Sequence, residues 1–124
     1  MEIKIPIRIV SEANSNEHWS KKSKRHKLQH LIIKSYLNSY LDFSINLPVH
    51  LTLIRGAPRL FDGDNLQTAF KYVRDAIAAY LTGNNTPGQA DSDPRITWNY
   101  KQEKTSNKEY YIKILVESHK QDLA

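Results

Sequence analysis

The chain has 124 residues, no cysteine, 40% hydrophobic and 25% charged residues, and a formal net charge of +5. That length suits a single domain over residues 1–124 with a core that needs no staples, and the lack of thiols excludes a disulfide framework and a thiolate zinc site. No run approaches a membrane span and residues 1–10 lack the apolar stretch of a signal peptide, so a cytoplasmic protein with no membrane partner is expected.

Residues 1–10 alternate Ile3, Ile5, Ile7 and Ile9 against Glu2, Lys4 and Arg8, the pattern of a strand, and Pro6 favours an edge position. A polar loop over 11–16 leads to His18 and Trp19, and then to Lys21, Lys22, Lys24, Arg25 and Lys27, five bases within seven residues. From about Lys24 to Tyr40, the residues Leu28, Leu31, Ile32, Tyr36, Leu37 and Tyr40 recur at helical spacing, so the bases occupy the helix's first turn or its leading loop. Cations there oppose the macrodipole at a few tenths of a kcal/mol each, which points to service for a partner rather than for the fold. Trp19 fits a stacking surface for a base or sugar and also the commoner role of an aromatic beside a helix start, a core plug.

After the connection over 41–47, residues 48–55 alternate as a second strand, and residues 56–59 break it. Leu66, Ala69, Phe70, Val73, Ile77 and Leu81 then mark a long helix, followed by turn formers over 82–89. Ile96, Trp98 and Tyr100 point inward from a strand over 95–104. A matching apolar strand over 110–116 is expected to pair with it as an antiparallel hairpin through the turn Thr105, Ser106, Asn107. The order β-α-β-α-β-β gives an α+β domain, a small mixed or antiparallel sheet with two main helices packed on it.

Charge is unevenly spread: between His18 and Phe61 there are eight Lys and Arg against one acid, Asp42, a local balance of +7. Such a field suits a polyanion, usually nucleic acid, and also suits a solvated helix face rich in lysine. Arg55 and Arg59 extend the positive charge toward an acidic turn.

That turn is Asp62-Gly63-Asp64-Asn65-Leu66-Gln67. A glycine between the two aspartates lets the backbone take positive φ and turn both carboxylates toward one point. Asp64 with Gln67 also reads as an N-cap with its capping-box partner, and an acid pair used only for capping and turning is the blander account. An EF-hand loop is excluded, because its sixth and twelfth positions would be Gln67 and Val73. Asp91 and Asp93 form a second acidic cluster before the 95–104 strand. If that strand runs beside the one ending at Arg55, its leading edge brings three or four carboxylates together. Oxygen-only ligands suit Mg2+ or Mn2+ rather than zinc. His18, His26, His30, His50 and His119 are scattered and make no zinc pattern.

The acidic turn opening a helix, with Ser92-Asp93 after a variable loop and an apolar strand following, resembles the RusA family of Holliday-junction resolvases, whose pattern is D-x-D-N-L-x-K and then a D-D pair. The resemblance implies a homodimeric, magnesium-dependent endonuclease that nicks four-way DNA junctions symmetrically. Carried onto this chain, it makes Asp62, Asp64 and Asp93 metal ligands and catalytic residues. Two positions depart from the pattern: Thr68 stands where the family has lysine, and Ser92 stands for the first acid of the pair. Lys71, seven residues past Asp64 and roughly 10 Å along a continuous helix, is the nearest replacement base, with Arg59 and Arg95 as others. Asp91 is a fourth ligand candidate, and Lys21, Lys22, Lys24, Arg25, Lys27, Arg55, Arg59 and Trp19 are the DNA-facing set. The rival is a junction or duplex DNA-binding module on the same scaffold without catalysis.

Overall fold

The computed structural model describes residues 1–12, 18–41, 47–84, 89–106 and 108–118. Loop expectations at 13–16, 42–46 and 85–88, the Asn107 position in the turn and His119 lie outside them. Among the described residues, four strands and three helices occur in the order β1 (Glu2–Ile5), α1 (Trp19–Tyr40), β2 (Val49–Ala57), α2 (Gly63–Ala69), α3 (Lys71–Thr82), β3 (Ile96–Lys104) and β4 (Tyr111–Ser118), with a short 3-10 turn at Ala90–Ser92. The α+β expectation holds, with a mixed sheet.

Strand order is β1-β4-β2-β3, with β2 and β3 parallel and the other neighbours antiparallel. The expected β3–β4 hairpin does not form: β2 lies between them. The reason is in β2 itself, Val-His-Leu-Thr-Leu-Ile-Arg-Gly-Ala, buried at every position except the half-buried His50. Such a strand leaves apolar surface and an unpaired ladder in water unless it has a neighbour on each side. β3 and β4 therefore lie two strand spacings apart, or about 10 Å, and just past β3 the Thr105 amide donates to the Ala57 carbonyl at the end of β2.

One sheet face carries the core. Ile3, Ile5, Val49, Leu51, Leu53, Ile96, Ile112, Ile114 and Val116 join Ile33, Leu37, Phe70, Val73 and Ile77 from the helices in one buried cluster. On the other face Thr52, Ile54 and Tyr111 are buried as well, and Gly56 is a point of close approach there. A Cβ at Gly56 would lie 2.2 Å from the ring of Tyr111, its register partner on β4. Tyr111 donates its hydroxyl proton to Glu103, which also accepts from Lys113 Nζ at 3.2 Å.

Four local expectations change. β1 stops at Ile5 because Pro6 has no amide to continue the ladder, although Ile9 is still buried farther on. α1 begins at Trp19 rather than near Lys24, capped by His18, whose Nδ1 accepts from the Ser20 amide at 3.2 Å; of the two places expected for the bases, the helix holds them, from its first turn onward. The long helix is two. Phe70 ends α2 and starts α3 at φ −86°, ψ −2°, and the bend seats its ring fully in the core, 5.9 Å from that of Tyr100. Finally, Asp62 rather than Asp64 is the α2 N-cap and makes no side-chain capping bond, while Gly63 begins the helix without a positive φ.

Candidate functional site

The acidic turn sits where the chain leaves the end of β2, and two contacts fix it. Gln102 on β3 receives the Phe61 amide on Oε1 and donates from Nε2 to the Phe61 carbonyl, both at 2.8 Å, so one side-chain amide copies a strand pairing. The Arg55 guanidinium lies 3.4 Å from the Phe61 ring centroid and donates from Nη1 to the Arg59 carbonyl at 2.7 Å. Asp62 and Asp64 follow directly, both exposed, one at the cap and one in the first helical turn. Anionic side chains there complement the helix macrodipole and, being oxygen ligands, suit a hard cation.

The downstream acids go elsewhere. Asp91, in the 3-10 turn, folds against α3: Arg74 Nη2 reaches its Oδ2 at 3.2 Å, and Trp98 Nε1 donates to its carbonyl at 3.3 Å. Arg74 also donates to the Tyr100 hydroxyl at 2.7 Å. Asp75, one position along α3, belongs to this cluster; burial raises its pKa first and the Asp91 charge raises it further, against the pull of Lys71 and Arg74. Asp75 has one signal in the sequence, a carboxylate four residues after Lys71 on the same helix.

Asp93 is held by Arg95 in a forked pair, with Nη2 to Oδ2 at 2.7 Å and Nε to Oδ1 at 3.0 Å, and the Arg95 amide adds a third bond at 2.9 Å. These bonds bring its pKa down to about 2. β3 does run beside β2, but in parallel: its leading residue Ile96 pairs with Val49, and Ala57 pairs with Lys104. The leading edge of β3 thus adjoins the start of β2, whereas Asp62 and Asp64 follow its end, a ladder of nine pairs away. Among the described residues, no three His, Cys, Asp or Glu side chains come together as a metal cage.

The basic segment divides in the same way. Lys21, Lys24 and Lys27 are exposed on the outer face of α1 and Lys22 is half-buried. Arg25 instead grips Glu12 through both oxygens, at 2.6 and 3.0 Å, and His26 Nε2 lies 3.2 Å from the same carboxylate while its ring stacks on Tyr72 at 3.5 Å. Burial alone would raise the Glu12 pKa, but the bonds from Arg25 and His26 outweigh it and hold it low. Trp19 is 74% exposed, so it is not a core plug. Lys71 opens α3 with Nζ 5.6 Å from the Tyr72 ring centroid; because the helix bends at Phe70, the axial distance expected from Asp64 does not describe it.

Comparisons with protein-family models, with curated proteins and with solved structures each found no match.

Proposed function

We propose that the protein is a DNA endonuclease selective for branched DNA, of the kind its resemblance to the RusA resolvases implies. The observation that carries the reading is the exposed Asp62-Gly63-Asp64 turn at the start of a helix, anchored through Phe61 and directly following Arg59. Two carboxylates are few for a protein-only cage, yet Mg2+ commonly takes one or two carboxylates and completes its shell with water and substrate phosphates. Asp62 and Asp64 would hold it without Asp91 and Asp93, which are paired with Arg74 and Arg95 away from the turn. Bound there, Mg2+ would supply an activated water and neutralise charge on a phosphodiester.

The chain's own residues do the rest. Lys21, Lys24 and Lys27, three exposed cations on one helix, meet backbone phosphates, and Trp19 offers a stacking face at the helix end. Lys71 is the base nearest in sequence to the missing family lysine, with its ammonium on the exposed start of α3. Paired nicking requires two copies, so a homodimer is part of the proposal.

The test is a synthetic four-way junction against linear duplex of the same sequence, with Mg2+, Mn2+ or EDTA. Metal-dependent nicking of the junction, with the duplex spared, supports the reading; an intact junction under every metal overturns it. The pairing of Asp91 with Arg74 and of Asp93 with Arg95 favours a second reading, a junction-binding protein without catalysis. It predicts salt-sensitive binding with no nicking, and replacing Lys21, Lys24 and Lys27 by Gln should flatten the slope of log K against log salt by about 0.9 for each phosphate no longer neutralised.

A further inference from the structure

Beside the acidic turn lies a cavity of about 200 Å³ whose polar lining is dominated by Arg8, Arg55 and Arg59, with Phe61, Tyr110 and Ser11 also in its wall. Water occupies roughly 30 Å³ per molecule in the liquid, so the space holds a tetrahedral anion with room for solvent. Among the described residues, no carboxylate lines it.

Arg55 is the unusual member. It is only 5% exposed, one face is covered by the Phe61 ring, and its Nε has no hydrogen-bond partner. A buried donor left unmet is costly; burial disfavours the charge on Arg55, Tyr110 opposes this, and the second guanidinium, Arg8, adds to it. Converging cations with an unmet donor and no acid is an arrangement that a multidentate oxyanion completes. Phosphate is the acceptor whose geometry the arginine fork matches.

We infer that this cavity is a phosphate subsite that seats a backbone phosphodiester of the bound nucleic acid. The inference rests on the reading of the acidic turn, which it adjoins: Phe61 lines the cavity and is followed by Asp62, and Ser11, also in the lining, donates to the Asn65 side-chain oxygen of α2 at 3.4 Å. Arg8 thereby gains a role that composition alone did not suggest. A phosphate held here fixes the register of the strand, so that a neighbouring phosphate falls at Asp62 and Asp64.

The experiment follows the arginine Nε–H resonances of the whole chain in EDTA while inorganic phosphate is added at constant ionic strength. A saturable shift of the Arg55 Nε–H with a Kd on the order of 1 mM, weakened roughly tenfold or more by Arg8→Gln and by Arg59→Gln, is the expected result. Both variants change exposed residues, so the outcome does not depend on replacing buried Arg55. Junction DNA added without metal should displace the phosphate. No saturable shift, or unchanged affinity in both variants, overturns the subsite; phosphate that junction DNA fails to displace overturns its assignment to the DNA backbone. If phosphate binds and is displaced but no metal supports nicking, the subsite stands and the nuclease reading falls.

Discussion

At the scale of single residues, the fold depends on side chains whose neighbours are set by register. Gly56 makes room for the Tyr111 ring on the sheet face opposite the core cluster, and that ring is tied to Glu103, so it cannot swing aside without losing the bond. Gly56→Ala is therefore expected to cost about 1–3 kcal/mol, measured by urea denaturation; a loss below that range would show that the ring relocates freely. Asp75 gives a pH signature. Its pKa is raised in the folded protein by burial and by Asp91, so whatever it contributes is present below the unfolded carboxyl pKa and is lost as pH rises through the folded value. Asp75→Asn should raise the thermal midpoint at pH 7 and lose that advantage in acid, where wild-type Asp75 is also neutral. An equal gain at both pH values would contradict the electrostatic account.

The elements show where a periodic pattern informs and where it misleads. Helical spacing located α1, but its buried stripe runs through Gln29, Ile33 and Leu37, while Leu28 and Leu31 are 60% and 65% exposed. Two overlapping apolar rows, one through 28 and 31 and one through 33 and 37, satisfy the same period, and only packing against β1 and α3 chooses between them. Leu31→Gln is expected to change stability by no more than about 0.5 kcal/mol. Ile33→Ala should cost about 2–4 kcal/mol. Comparable losses from both in a denaturant series would mean the helix is rotated. The break at Phe70 was hidden for a similar reason: the row Leu66, Ala69, Phe70, Val73, Ile77 continues across it, and the bend shows only in the backbone angles of a residue drawn into the core.

For the whole molecule, alternation identified the strands and their inward residues, since Ile96, Trp98 and Tyr100 do face the helices. It could not give strand order, because a short polar link serves equally for a hairpin or for a step across one strand. The decisive factor was the two-sided burial of β2, legible in its apolar run. The same register separates the acids: a parallel β2–β3 pair sends Asp93 to the start of the ladder while the acidic turn stays at its end, and Asp91 folds back onto α3. What remains at the turn is Asp62 and Asp64 beside an arginine-lined cavity, and on that pair the proposed chemistry depends. Measuring both binding and nicking of a four-way junction by wild type and Asp62→Asn in Mg2+ tests this most directly. The account predicts unchanged junction affinity with nicking reduced roughly a hundredfold or more, whereas a folded variant that nicks as fast as wild type would contradict it.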